Sequence, residues 1–308
     1  MKATRESYGD ALVELGKKYD NIVVLDADLA SATKTVGFKA EFPERFFDMG
    51  IAEQDMVGTA AGLAIGGKIP FASTFSVFAT GRAYDQIRNS IAYPNLNVKI
   101  AGTHAGVTVG EDGATHQALE DIALMRSMPN MTIVSPADDV QAHFLIEEAI
   151  KHNGPVYIRL ARPATDDVYG INSKFEFGKG VQHGSGNDAT IIATGVTVSE
   201  AIKAKEELEK DNINVRVIDI HTIKPIDKDI IVKAAKETKL IFTVEDHSVI
   251  GGLGTAVSDV LCEECPSKVI KLGVRDEFGK SGNWKELMDF YGITSKHIVQ
   301  AVLDAQNK

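Results

Sequence analysis

Apolar and polar positions follow two rhythms along this chain. In residues 5–19 (RESYGDALVELGKKY) the apolar ones recur every three or four positions, which predicts a helix. They then close into a β-branched run at 21–29 (NIVVLDADL), which predicts a short strand ending in polar residues. The same alternation continues. Residues 44–50 (ERFFDMG) form a second strand candidate, followed by a helix of small residues from 50 to 64 and a strand at 68–74 (KIPFAST). A helix at 80–93 (TGRAYDQIRNSIAY) leads to an extended run at 97–102 (NVKIAG) and a long polar stretch, 103–117. MTIVSPA, the helix DVQAHFLIEEAI and the strand PVYIRLAR then carry the pattern to residue 162.

Between about 163 and 188 the rhythm loosens into Gly, Asp and Ser, which predicts a linker. It restarts with ATIIATG, INVRVIDI, KLIFTVED and KVIKLGV, each separated by a helical segment. Apolar strands alternating with helices predict parallel sheets covered on both faces. The expectation is an α/β protein of two three-layer α/β/α domains, residues 1–165 and 188–308, joined by a linker at 166–187. In such sheets functional residues gather beyond the carboxyl ends of the strands.

Composition narrows the function more than the fold. A formal net charge of −10 argues against a nucleic-acid surface, which needs clustered Lys and Arg. No apolar run approaches the roughly 20 residues that span a bilayer, and MKATRESYGD is not a signal-peptide start, so a cytoplasmic chain without membrane partners is expected. The two cysteines, Cys262 and Cys265, stand in C-x-x-C spacing. A zinc site needs about four ligands and no second pair exists, so they read as residues at a helix end.

Three stretches carry candidate chemistry. The loop THAGVTVGEDGATHQ, 103–117, holds two of the eight histidines, His104 and His116, together with Glu111, Asp112 and three glycines. Glycines let backbone approach a ligand, and imidazoles with a carboxylate shuttle protons and bind hydroxyls. In FASTFSVFATGR, Phe75 and Phe78 are three apart and would share a face if helical, either to stack on a flat heterocycle or to fill core. Glu53 heads the small-residue helix, where a carboxylate at least offsets the positive end of the helix dipole.

Read together, ATR at 3–5, DADLA at 26–30, GIAEQDM at 50–56, STFSVF at 73–78 and GEDGATHQ at 110–117 closely resemble the C-terminal half of transketolases, thiamine-diphosphate enzymes. The likeness extends through RLAR at 159–162, and the second domain resembles the transketolase C-terminal domain, so essentially the whole chain is covered. The resemblance implies that Glu53 hydrogen-bonds N1′ of the cofactor's aminopyrimidine and favours the tautomer that removes the C2 proton, which asks for a carboxyl shielded from water. It implies that Phe75 and Phe78 pack on that ring and that Asp28 and Leu29 approach the thiazolium. His116 and Asp112 would bind sugar hydroxyls, and His104 would sit at the C1–C2 end. His104 and His116 would transfer protons. Arg5 and Arg162 would grip the substrate phosphate, a role that suits the planar fork of Arg. Ala114 replaces the family's usual proline. After STFSVF the family pattern aligns only with an extra residue.

The N-terminal half of a transketolase carries a G-D-G segment and a later asparagine that hold Mg²⁺ and the diphosphate. Neither YGDAL at 8–12 nor GEDG at 110–113 meets that pattern. The expectation is a split enzyme. This chain would supply the aminopyrimidine half of the site, and a separate N-terminal subunit would supply the diphosphate half and its Mg²⁺, in an α2β2 assembly acting on sugar phosphates. Deoxyxylulose-phosphate synthase and the β subunit of 2-oxo-acid dehydrogenases are the neighbouring alternatives, and the G-A-T-H-Q form leans away from the latter.

Overall fold

The computed structural model describes residues 1–306; the last two positions of the expected second domain lie outside it. Twelve strands are present among the described residues. In chain order they are β1 (Ile22–Asp26), β2 (Phe46–Asp48), β3 (Ile69–Phe75), β4 (Lys99–Thr103), β5 (Thr132–Val134), β6 (Val156–Arg159), β7 (Val181–His183), β8 (Ala189–Ala193), β9 (Val215–Asp219), β10 (Thr222–Lys224), β11 (Ile241–Ser248) and β12 (Val269–Val274). They form a seven-stranded sheet ordered β10-β5-β6-β4-β3-β1-β2 and a five-stranded sheet ordered β12-β11-β8-β9-β7.

Parallel pairing was the expectation, and it holds for every pair but one in each sheet. Strand β10 runs antiparallel to β5, and β7 antiparallel to β9. Both sheets are therefore mixed, each with a three-residue antiparallel strand at an edge. The inner strands β1, β3, β4, β8 and β9 are buried at every position, as strands of a helix-covered sheet are, including polar side chains such as Lys99 of β4 and Arg216 of β9.

Strand β10 lies between two strands of the second sheet in sequence, yet it pairs with the first. The two units share a core as well: Met128, Ile133 and Tyr157 cluster with Ile220, Ile223 and Leu253. The stretch read as a linker is tied down at three points. It carries β7; Asp138 accepts from Val168 N and Tyr169 N; and Tyr169 donates its hydroxyl to Asp219 at 2.6 Å. Cys262 lies in the last turn of the Leu253–Glu264 helix and Cys265 is its cap, as expected of a helix end.

Asp219 is fully buried and also accepts from Gln141 Nε2 at 2.6 Å, while its Oδ1 has no partner. Burial pushes its carboxyl from 3.8 up to about 7. The folded chain therefore keeps this proton over a range in which the unfolded chain has released it. Stability contributed here falls as pH rises from the unfolded value through about 7. Asp219→Asn removes the titration. Its urea midpoint relative to wild type should therefore improve between pH 5 and pH 8. An unchanged difference at the two pH values would refute the assignment.

Candidate active site

Five neighbouring strands of the first sheet, β6-β4-β3-β1-β2, deliver candidate residues at their C-terminal ends. Asp28 and Leu29 follow β1, Glu53 follows β2, Phe75 closes β3, His104 follows β4 and Arg162 follows β6. This is the edge at which parallel α/β sheets bind ligands. Arg5 arrives from the first turn of the Thr4–Lys18 helix, held beside residue 162 by an isolated bridge between Ala3 and Ala164.

Phe75 and Phe78 do not share one helix. Phe75 is the last residue of β3, and Phe78 opens a π-helical turn, Phe78–Arg82. Their rings nevertheless lie almost parallel, 8° apart with centroids at 5.8 Å. The other face of the group is His104, whose ring stacks on Phe75 at 3.8 Å. His116 stands edge-on to both phenylalanines, at 6.2 Å and 5.4 Å. Strand, turn and loop thus converge on one aromatic group.

Glu53 is the first residue of the Glu53–Ile65 helix and is 1% exposed, on the face that buries Met56, Val57, Ala60 and Ala61. Its Oε1 accepts from Arg82 Nη1 at 2.8 Å, and its Oε2 is buried without a partner. The Arg82 guanidinium also lies 4.3 Å over the Phe78 ring. A line of contacts therefore joins Glu53 through Arg82 and Phe78 to Phe75 and His104. No local pattern singles out Arg82, which sits in the stretch where family alignment needs an extra residue; the π turn, one residue wider than an α turn, brings it back to Glu53.

At the far side, Arg5 donates to the carbonyls of Arg162 (3.1 Å) and Ala32 (2.8 Å) and lies 3.4 Å from His104 Nε2. Arg has only donors, so Nε2 is the acceptor in that contact and the ring proton belongs on Nδ1, 2.9 Å from Thr103 Oγ1. Burial first, then the charges of Arg5 and Arg162, push the His104 imidazole down to about 3. It is a neutral hydrogen-bond acceptor, with its backbone in the left-handed region (φ 57°). Arg162 donates to Val109 O and pairs with Glu111 at 3.0 Å.

Two expected residues stand apart from this cluster. The Asp112 side chain is exposed, with no hydrogen bond among the described residues. Asp28 is exposed at φ 61°. Its turn is fixed by Asp26, which accepts from Leu29 N, Thr33 Oγ1 and Thr35 Oγ1 at 2.6, 2.6 and 2.9 Å. Among the described residues no group of three or more His, Cys, Asp or Glu is placed to hold a metal ion, and no helix is long and apolar enough to cross a membrane. What the site offers is a flat aromatic surface, a shielded carboxylate with one free oxygen, a neutral imidazole acceptor and two guanidinium groups. The free Glu53 oxygen beside stacked rings fits a flat, hydrogen-bond-donating heterocycle, so an aminopyrimidine suits the residues present.

Two outcomes follow from this geometry. In nitrogen-correlated NMR, the His104 ring should stay neutral with an unprotonated Nε2 from pH 5 to 8; a titration in that range would contradict it. Arg82→Met leaves Glu53 without its ion partner and should cost about 1–3 kcal/mol of unfolding free energy, less than a fully buried pair because Arg82 is half exposed. Adding Glu53→Gln to Arg82→Met should recover part of that loss. Additive effects in the double-mutant cycle would deny the coupling.

The transketolase pyrimidine-binding domain family matches residues 1–167, and the transketolase C-terminal domain family matches residues 178–298. A chain that goes by the name transketolase C-terminal section, from Methanocaldococcus jannaschii, is 49% identical over all of this chain and 97% of its own length. The 6-deoxy-6-sulfo-D-fructose transketolase subunit SqwH of Clostridium sp. is 43% identical over 96% of this chain and 92% of its own. Among solved structures, "Split gene transketolase, inactive beta4 tetramer" superposes with a TM-score of 0.93 at 52% identity, covering 99% of this chain and 98% of that one. This chain belongs to the transketolase family of transferases, as the section built from its pyrimidine-binding and C-terminal domains.

Proposed function

We propose that this chain is the C-terminal subunit of a two-chain, thiamine-diphosphate-dependent transketolase, moving a two-carbon ketol unit from a ketose phosphate to an aldose phosphate. The observation that carries the proposal is the Glu53 carboxylate, shielded from water with one oxygen unpartnered, beside the stacked Phe75 and Phe78. A buried acceptor left open costs about 1–3 kcal/mol, so its persistence asks for a ligand donor.

When bound, thiamine diphosphate supplies the carbon nucleophile that accepts the ketol unit. Glu53 would hold N1′ of its aminopyrimidine and keep the proton of that contact out of water. Phe75 and Phe78 would carry the ring, and Asp28 and Leu29 would line the thiazolium side. The neutral His104 would accept a hydrogen bond from a substrate hydroxyl at Nε2 in place of its 3.4 Å contact from Arg5, and receive that proton as the oxygen becomes a carbonyl. His116 and Asp112 would hold further hydroxyls, His116 returning a proton to the product. Arg5 and Arg162 would bind the anionic end of the sugar, with Arg162 exchanging Glu111 for it.

The rest of the cofactor site belongs to a partner. We assign the diphosphate and Mg²⁺ to an N-terminal subunit bearing the G-D-G and asparagine motif, and expect two copies of each chain in the cytoplasm. The similar split-gene transketolase, solved as an inactive β4 tetramer, supports a chain that self-associates and needs another to work. Ordinary pentose phosphates are the proposed substrates; the sulfo-sugar in the name of the SqwH relative supports reading Arg5 and Arg162 as binders of an anionic sugar end.

The test is reconstitution. This chain alone should show no ketol transfer, and mixing it with an N-terminal transketolase section that carries the G-D-G motif should produce it. Glu53→Ala in the mixture should lower turnover by about a hundredfold or more, the scale of a lost proton-transfer partner. Near-full turnover of that variant, or transfer by the single chain, would overturn the reading.

A further inference from the structure

The loop that carries both histidines is held in part from outside its own domain. Strand β11, in the second sheet, brings the fully buried Asp246 against it. Asp246 Oδ1 accepts from Val107 N at 2.8 Å, and Oδ2 accepts from Thr108 N at 3.3 Å and from Thr108 Oγ1 at 2.7 Å. The carboxylate thus takes every donor offered by two successive residues, three and four positions after His104. The approach is so close that a Cβ at Gly106 would stand 2.1 Å from Oδ2, and Gly106 itself has φ +78°.

A second contact closes the far end of the same loop. Gln117 Nε2 donates to Lys280 O at 2.9 Å in the second domain, and lies 3.3 and 3.4 Å from Val107 O and Gly110 O. Ser281 Oγ donates to Glu111 O at 2.5 Å, and Ser248 N to Leu119 O at 2.9 Å. His104, between Thr103 of β4 and Ala105, holds a left-handed backbone that a non-glycine residue keeps only when its surroundings impose it.

We infer that the second domain is a working part of the site, and that Asp246 is a positioning residue: through Val107 and Thr108 it fixes the loop that aims His104 and His116. This use of the two histidines rests on the proposed function; the clamp itself does not. Asp246 touches neither the Glu53 carboxylate nor the phenylalanine pair, so it should govern how substrate is met and leave cofactor affinity alone. No residue previously singled out in the second domain has a role in the reaction; this one acquires it by a reach of 139 positions along the chain.

Asp246→Asn tests it, since the amide keeps the shape but replaces one acceptor by a donor facing Thr108. In the full-length chain, amide hydrogen exchange at Val107 and Thr108 should quicken about ten- to a hundredfold, the equivalent of a lost charged hydrogen bond, while amides of β8 and β9 keep their rates. Thr108→Val removes only the hydroxyl bond and should give a smaller, equally local effect; it decides the matter should Asp246→Asn fail to fold, and Thr108→Ser should restore wild-type exchange. In the assembly with the partner chain, Asp246→Asn should lower kcat/KM for a phosphorylated ketose about tenfold or more, with the cofactor Kd within about twofold of wild type. Unchanged exchange at 107 and 108, or quickening spread evenly over the chain, overturns the clamp. Local quickening with unaltered kcat/KM overturns the positioning role. Absence of ketol transfer in the wild-type assembly would count against the proposed function, and the exchange result would still decide the clamp.

Discussion

Arg159 is the charge on which the joining of the two domains depends. It stands at the end of β6, 7% exposed, and its Nε meets Asp121 Oδ2 at 2.8 Å, where the Tyr157 hydroxyl also donates at 2.7 Å. Its Nη2 reaches across to the carbonyl of Asp246 at 2.8 Å. Three acids, Asp121, Glu245 and Asp246, and His247 are buried around it. Burial alone would push the Asp121 carboxyl up; the facing Arg159 and His247 outweigh that and hold it below its ordinary value. Glu245, farther away and capping the Leu253–Glu264 helix through Leu253 N and Gly254 N, is left pushed up to about 7. A buried ion pair of this kind adds little net stability compared with apolar packing, while loss of one member is costly. Its value here is geometric: one guanidinium fixes strand ends from both sheets in a single register.

That register explains why the fold was readable to different depths in different places. Buried strands such as β1 and β8 announce themselves as apolar runs, and the small-residue helix after Gly50 is equally plain. Strands β7 and β10 have three residues each, sit at sheet edges and carry polar side chains, so no periodicity marks them. Nor does any local pattern tell that β10 leaves its neighbours to pair with β5, because that choice belongs to the packing of Ile220 and Ile223 against Ile133 and Met128. Tertiary context, not propensity, decides such short strands.

The candidate site was legible through its motifs and opaque in its supports. Glu53, Phe75, Phe78, His104 and His116 were all nameable from spacing and family likeness, and they come together. Arg82, Asp26 and Asp246 were not. Each acts on a neighbour remote in sequence: Arg82 through a π turn that no helical periodicity describes, Asp26 by gathering Leu29, Thr33 and Thr35, and Asp246 from the other domain. The Phe75–Phe78 pair is instructive because the two rings share a side without the helical spacing that would have placed them there. Ring contact is a statement about where two side chains end, and a strand meeting a π turn reaches it as well as a helix does.

The two halves of the site differ in how complete they are, and the difference follows the charges. His104 is fully provided for: Thr103 takes its Nδ1 proton, Arg5 faces its Nε2, Phe75 covers its ring and the loop behind it is tied to Asp246. Glu53 is not. Its single partner is half exposed and its second oxygen faces no donor, an arrangement that a chain folding only for its own stability would relieve with one polar side chain. Small residues line the helix around it instead, and Gly58 and Gly62 on its outer side have open space where side chains would stand. A preorganised acceptor kept dry and unsatisfied has its energy available when a ligand arrives, which is how a site invests folding free energy in binding. The incompleteness at Glu53 and the completeness at His104 therefore belong to one cleft, in which one half keeps a buried acceptor open and the other has both ring nitrogens already partnered.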